Sequence, residues 1–323
     1  MTLVESLLKS HIVSVRTNVQ GWHTTNCPMC TLNGQSRPDT RRRGGFKFNG
    51  DRVGYHCFNC GYTTGWSPGR RLGFKLIKLL RALSVDEGEI QRLKIQLWDQ
   101  VDESDSAVEE ERVNIDWPSI EFPWLVTDQL SNDAAEYLRH RRLLGQAPFV
   151  QTASKILSME QRVILPYIHE NRIVGYQARL IRETQDKKTP KILASRPPNY
   201  VFNLAAQNKK RKYTVVVEGE YDALSIAGVA VMTNSISAEQ AKIIEDLDTE
   251  PVILADRDTS GRQLIEQAAL LGWSASFPDW PSNIKDANDA VIAFGKAAAL
   301  QSILTSVESN ALKIKLLARQ WCS

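Results

Sequence analysis

No apolar run in the sequence approaches a membrane helix. Runs such as Val215–Val217 and Ile226–Val231 fall far short of the roughly 20 residues that cross a bilayer, which excludes a helical membrane protein. Cysteine is scarce, five in 323 residues, too few for the dense disulfide framework of a small secreted domain. Met1–Leu8 lacks a basic flank and a small-residue cleavage site, so no secretory signal is expected. Charge of one sign is also wanting: 40 Lys and Arg against 37 Asp and Glu give +3, which names no partner. With 42% hydrophobic and 24% charged residues, the composition is that of a folded globular chain with room for two or three units.

The distribution of charge says more than its sum. Residues 1–75 hold eleven Lys and Arg against Glu5, Asp39 and Asp51, with Arg41, Arg42 and Arg43 adjacent. Residues 84–121 reverse the sign around Glu109-Glu110-Glu111, 139–216 are basic again, and 217–300 are acidic. Such blocks point to separate units, some facing phosphate and one gathering carboxylates. The stretch 84–121 reads as a polar linker with a short helix.

Four of the cysteines form two pairs, Cys27-Pro-Met-Cys30 and Cys57-Phe-Asn-Cys60, with 26 residues between them. A two-residue gap lets two thiolates from one turn reach an ion at about 2.3 Å, and two such turns complete a tetrahedron. Gly44–Gly50 and Arg52–His56 alternate like a hairpin between the pairs, as in a zinc ribbon. His23 and His56 are competing ligands in principle, but four cysteines already close a site, and a closed four-thiolate site is structural. Cys322 reads as a bystander. Phe46, Phe48, Tyr55, Phe58, Tyr62 and Trp66 lie among Arg41–Arg43, Lys47, Arg52, Arg70 and Arg71. Rings that stack on bases and cations that track phosphates suit single-stranded nucleic acid; core packing is the rival use for about half of the rings.

Between residues 213 and 292, strand and helix patterns alternate. Tyr213–Val217 is an apolar, β-branched run ending at Glu218-Gly219, followed by a helical stretch Tyr221–Ala227 and a second strand, Val229–Met232. Ser237-Ala-Glu-Gln240 resembles a capping box opening a helix to Leu247. Val252–Ala255 is a third strand with Asp256-Arg257-Asp258 at its exit, Arg262–Leu271 a helix ended by Gly272, and Ser274–Phe277 a weaker strand. The economical fold is a mainly parallel sheet with helices on both faces. Ligands of such sheets bind at the carboxyl ends of strands, where Glu218, Asp256 and Asp258 fall. Asp222, one helical turn past Glu218, can face the same crevice, Asp286 follows the next strand, and Asp289 either joins them or caps its helix. So many carboxylates share a small space only with cations present, and Mg2+ or Mn2+ leaves positions open for phosphate oxygens.

Val217-Glu218-Gly219-Glu220-Tyr221-Asp222 and Asp256-Arg257-Asp258-Thr-Ser-Gly261-Arg262 resemble the two signature motifs of the TOPRIM superfamily. With the cysteine pairs ahead of them, the chain resembles the DnaG-type DNA primases, most closely the short primases of tailed bacteriophages. Arg162-Val-Ile-Leu-Pro166, Gly175-Tyr-Gln-Ala-Arg179 and Lys191-Ile-Leu-Ala-Ser195 resemble the basic half of that family's RNA polymerase core, and Lys285-Asp286-Ala-Asn288-Asp289 its third acidic motif in phage members. Past residue 295 the sequence has a short amphipathic tail where the bacterial family has a large helicase-binding domain.

The resemblance implies an α/β TOPRIM catalytic core at 213–300, preceded by a basic subdomain at 126–212, an acidic helical linker at 79–125 and a zinc-ribbon domain at 1–78 that binds template; a C-terminal helix covers 301–323. It implies one structural zinc on Cys27, Cys30, Cys57 and Cys60, and two or three catalytic Mg2+ or Mn2+ ions on Glu218, Asp222, Asp256, Asp258 and Asp286. Glu218, Asp256 and Asp258 would be catalytic, with Arg162, Arg179 and Lys191 on the triphosphate or template. The expected function is RNA primer synthesis from ribonucleoside triphosphates on single-stranded DNA, in the cytoplasm, or the host cytoplasm for a phage protein. The alternatives are a TOPRIM nuclease and a non-catalytic zinc adaptor for single strands. No Gly-x-x-x-x-Gly-Lys-Ser/Thr loop is present, so no ATP-driven movement along DNA is expected, and phage relatives imply a separate replicative helicase. The tail positions Leu300, Ile303, Leu304, Leu312, Ile314 and Leu317 are expected to pack on their own domain, with helicase docking the alternative.

Overall fold

Thr2 opens the first helix, α1 (Leu3–His11), by accepting from the Glu5 N–H at 3.2 Å. This computed structural model describes residues 1–98, 115–153, 156, 158–182, 189–207 and 211–322; Glu109–Glu111, at the centre of the expected linker, lie outside the described residues. After α1 come β1 (Arg16–Thr17), β2 (Trp22–Thr25), β3 (Gly44–Asn49), β4 (Arg52–Cys57) and β5 (Thr63–Trp66), then α2 (Phe74–Ala82) and α3 (Glu87–Trp98). The five strands form an antiparallel sheet in chain order. Between β3 and β4 the turn uses Gly50 at φ 58°, a left-handed conformation that costs glycine little. The hairpin between the cysteine pairs is therefore present in the structure as the alternation suggests.

Alternate residues of these strands build the first core. Phe46 and Tyr55 face each other in register and are buried with Val53, Tyr62 and Trp66. Leu76, Leu79, Leu80, Ile90, Leu93 and Leu97 belong to the same cluster. The boundary expected at residue 78 thus falls inside α2, and the first twenty residues of the expected linker hold the end of α2, a turn and α3, all contributing to this core. Their apolar positions recur at helical spacing beneath a surface acidic enough to read as a linker.

The chain divides into two compact units, Met1–Arg112 with Asp248–Glu250 and Val113–Leu247 with Pro251–Ser323. The second begins with β6 (Val126–Thr127), α4 (Asn132–His140) and β7 (Gln151–Thr152), followed by β8 (Arg162–His169), β9 (Arg172–Leu180) and β10 (Ile192–Ser195). The last three form an antiparallel sheet in the order β10-β9-β8. Its hairpin turns through Glu170 and Asn171, both at positive φ, the geometry that matches strand twist in a two-residue loop.

Next come β11 (Tyr213–Val217), α5 (Glu220–Ile226), β12 (Val229–Ala230), α6 (Ala238–Glu245), β13 (Glu250–Ile253), α7 (Gly261–Leu271) and β14 (Ser274–Ser276); α8 (Ala287–Phe294), α9 (Lys296–Thr305), β15 (Val307–Glu308) and α10 (Ala311–Trp321) complete the chain. The sheet order is β12-β11-β13-β14-β15. The β11/β12 and β13/β14 pairs are parallel, and β15 adds an antiparallel edge. Val215–Val217 and Val252–Ala255 are buried, as near-continuous apolar strands of a covered sheet should be. Ser237 and Gln240 form the capping box of α6, and Gly272 ends α7 at φ 74°. Ile303, Ile314, Ala318 and Trp321 of the tail are buried while Leu312 and Leu316 are exposed, so its helices pack on their own unit through one face. No described helix is long and apolar enough to cross a membrane.

Candidate functional site

In the first unit, β4 ends at Cys57 and β2 runs out just before Cys27, which brings the two cysteine turns together. The Sγ atoms of Cys27, Cys30, Cys57 and Cys60 all lie within 4.8 Å of one another, a set no other group of three or more metal-binding side chains matches among the described residues. Cys27–Cys60 and Cys30–Cys57 are 3.9 and 3.8 Å apart. The edge of a tetrahedron of sulfurs about 2.3 Å from a zinc ion is about 3.8 Å, so the donor set fits zinc in type and size.

The surrounding groups support that fit. Met29 N–H and Asn59 N–H donate to Cys27 and Cys57 Sγ at 3.3 and 3.4 Å, and the Asn59 amide donates to Cys30 Sγ at 3.3 Å. These donors stabilise thiolates. Burial pushes the Cys60 thiol up to about 11, and a bound cation is what lets such thiols ionise. Asp39, fully buried at its side chain, accepts from the N–H groups of Cys27, Arg41 and Arg43 and from the Arg43 guanidinium. Burial works to raise its pKa, but those donors outweigh it and hold the carboxyl at about 2. Gly44 has to be glycine: a Cβ there would meet Tyr55 Oη at 2.6 Å and Cys27 Cα at 3.0 Å.

Four of the six aromatics noted in the sequence, Phe46, Tyr55, Tyr62 and Trp66, are core residues, whereas Phe58 is 63% exposed. Strand register places Trp22, Lys47, Gly45, Gly54 and His56 on the face opposite the core. Trp22 and His56 meet Phe58 edge-on at 5.6 and 4.6 Å, and Lys47 lies over Trp22 at 5.6 Å. Trp22 was not singled out in the sequence; its position opposite Lys47 becomes visible only through register.

In the second unit, Glu218 leaves β11 and Asp256 leaves the neighbouring β13, strands joined where Leu254 N–H donates to Val216 O at 2.9 Å. The two residues, 38 apart in sequence, meet at that edge: the Asp256 N–H donates to Glu218 Oε1 at 3.4 Å. Burial pushes Glu218 up to about 7, with the Asp258 charge adding to it against the Asp256 N–H. Burial, then the charges of Glu218, Asp286 and Asp258, push Asp256 up to about 8. Asp258 is exposed and held low by the Ser260 hydroxyl and the N–H groups of Gly261 and Ser260. Gly261 fits the space between: a Cβ there would collide with the Asp256 carbonyl and stand 3.2 Å from Glu218 Oε1.

Asp222 is buried on α5, raised well above the usual range by burial and then by Asp286 and Asp256, and it accepts from the Asn288 N–H at 2.8 Å. Asp286 caps α8 by accepting from the Asp289 N–H at 2.7 Å, so the capping role weighed for Asp289 belongs to Asp286. Asp289 instead accepts from Lys285 N–H at 3.3 Å. Asn288, 1% exposed, also bonds Ser225 Oγ and exchanges hydrogen bonds with Arg141. It lay inside a motif read for its acids and was missed as the residue that holds Asp222. Among the described residues no three of these carboxylates lie within 4.8 Å of one another. All-oxygen donors of this kind suit magnesium or manganese.

The three cations expected to serve this site stand differently. Arg179 lies over the Tyr221 ring at 4.7 Å, and its Nε is buried without a hydrogen-bond partner among the described residues, as are Tyr221 Oη and both amide atoms of Gln177. Lys191 is exposed. Arg162 is 2% exposed, and its guanidinium donates to the carbonyls of Ser158, Ala178, Pro190 and Lys191. Those bonds tie β8 to β9 and to the segment before β10, so the Arg162 guanidinium faces backbone carbonyls in the interior.

No protein-family model and no curated protein matches the chain. Solved structures do. One is the Aquifex aeolicus primase, zinc-binding and RNA polymerase domains, with a TM-score of 0.46 and 16% identity over 99% of this chain and 92% of that one. Another is the DnaG catalytic core, with a TM-score of 0.46 and 19% identity over 58% and 77%. A third is the primase fragment of the bacteriophage T7 primase-helicase protein, at 0.38 and 15% over 82% and 95%. These neighbours are DnaG-type primase fragments. Likeness at this distance does not carry a function across, and the chemistry of the site rests on the thiolates and carboxylates themselves.

Proposed function

We propose that the protein is a DNA primase that joins ribonucleotides into short RNA primers on single-stranded DNA, with residues 213–300 as its TOPRIM metal-binding domain. The observation that carries this reading is the meeting of Glu218 and Asp256 at one strand edge, each raised in pKa by burial and by neighbouring acids. Such a set is charged at neutral pH only when cations are present.

Asp256 and Asp258 would hold divalent metal, with Glu218 beside them and Asp286 at the outer shell. When bound, two Mg2+ or Mn2+ ions supply the positive charge that activates a 3′-hydroxyl and stabilises the departing pyrophosphate. The chain's own groups do the rest. Glu218 stands nearest the attacking hydroxyl, as a metal ligand or general base. Asp222 is held by Asn288 and orders α5 under the rim. Arg179, whose Nε has no partner among the described residues, and exposed Lys191 supply donors for triphosphate or template oxygens. In the first unit, one zinc on the four cysteines would fix the hairpin, and Trp22, His56, Phe58 and Lys47 would offer rings and charge to an unpaired strand. A separate helicase would expose the template.

The test is incubation with single-stranded DNA of varied sequence, Mg2+ and labelled ribonucleotides. Short RNA should form, vanish in Glu218→Gln and weaken when Cys57 is replaced. DNA fragmentation without RNA would support a nuclease, and strand binding with neither product would support the adaptor.

A further inference from the structure

The Asp256–Asp258 segment has no regular secondary structure, yet it must carry two of the carboxylates on which the primase reading rests. Part of what holds it comes from far along the chain. Trp321, at the end of α10 and 7% exposed, donates its indole N–H to the Ala255 carbonyl at 3.0 Å. Ala255 immediately precedes Asp256 and is itself buried. The Arg257 guanidinium lies over the same indole at 4.7 Å and donates to the carbonyls of Trp280 and Pro281 at 2.9 and 3.0 Å. Arg257 N–H donates to Lys285 O at 2.9 Å. Trp280 and Phe277 pack their rings on Trp321 at 5.9 and 6.1 Å.

We propose that Trp321 is a positioning residue for the metal rim: its N–H fastens the carbonyl before Asp256, and its ring seats the arginine that separates the two aspartates. Packing alone would need only the bulk of the ring. Here both polar features of an indole are used, the N–H on the backbone and the π face on a cation, and both act within two residues of a rim carboxylate. The tail therefore serves the acidic site rather than only closing the core. This proposal rests on the metal-binding reading of that rim, and its test separates the two.

Trp321→Phe keeps an aromatic ring and removes the N–H. Mn2+ binding, followed by electron paramagnetic resonance of the free ion, should weaken about tenfold in the variant, the scale of one lost buried hydrogen bond. In metal-free protein, amide hydrogen exchange should quicken across 255–260 while β11 and the middle of α7 keep their protection. Primer synthesis should need more Mg2+ but approach the wild-type rate at saturation. Arg257→Lys, which leaves the indole in place and cuts the guanidinium bonds, should shift Mn2+ binding in the same direction. Wild-type Mn2+ affinity and unchanged exchange at 255–260 in Trp321→Phe would overturn the proposal, even if the variant melts earlier. If the wild-type protein binds no more Mn2+ than Glu218→Gln, the metal reading fails instead, and exchange at 255–260 then decides on its own whether Trp321 holds the loop.

Discussion

Titrating the metal-free protein with Mn2+ at pH 7 should release protons. Glu218, pushed up to about 7, is about half protonated at that pH, and Asp256, pushed up to about 8, is about nine-tenths protonated. Ligands must give up those protons, so binding should expel roughly one to two per chain. Asp258, held low by Ser260 and Gly261, contributes none. By pH 9 both acids are already ionised, and the release should fall to about a tenth of a proton. The sign for stability follows from the same shifts. Both folded values lie above the ordinary 4.5 and 3.8, so the folded chain binds more protons than the unfolded one. The stabilisation from these groups is complete below about pH 4 and is lost as pH rises through 7 to 8, unless metal is added. Calorimetry in buffers of different ionisation enthalpy counts the protons directly. Release should drop by more than about half a proton in Glu218→Gln, because the variant loses Glu218's own proton and also the charge that helps to raise Asp256. No release at pH 7, or the same release at pH 9, would refute the reasoning.

Four further outcomes are expected. Cys57→Ser should lose the thiolate-to-cobalt absorption band of a Co2+-substituted protein and melt the first unit at lower temperature, and a chelator should do the same to the native protein. Arg162→Met should cost about 3 kcal/mol in denaturant unfolding, because it strips partners from buried carbonyls; Arg179→Met should change stability by under about 1 kcal/mol but weaken triphosphate binding tenfold or more. Gly261→Ala should cut primer synthesis at least tenfold with circular dichroism intact, since the added methyl displaces the Asp256 carbonyl beside Glu218.

The parts of this molecule legible in its sequence are those set by short-range pattern. Paired Cys-x-x-Cys spacing and an alternating hairpin were enough to anticipate four gathered thiols. β-branched runs ending in acids were enough to place Glu218 beside Asp256, because strand exits in an α/β sheet share an edge. What stayed hidden depends on pairing at a distance. Arg162 reads as one more cation in a basic block until β8, β9 and the segment before β10 close around it. Asn288 carries no charge to attract notice, and its value lies in reaching Asp222 from α8. Trp321 looks like the apolar end of a tail, since nothing local shows that α10 returns to Ala255. The stretch 79–98 reads as linker because surface acidity outweighs, by eye, the buried positions Ile90, Leu93 and Leu97.

The most direct measurement is anomalous diffraction at the manganese edge from crystals grown with Mn2+ and a ribonucleoside triphosphate. Peaks are expected at the rim, within coordinating distance of Asp256 and Asp258 and next to Glu218, with the triphosphate oxygens completing the shell. A map with manganese elsewhere, or with none at these carboxylates while nucleotide is bound, would contradict the assignment.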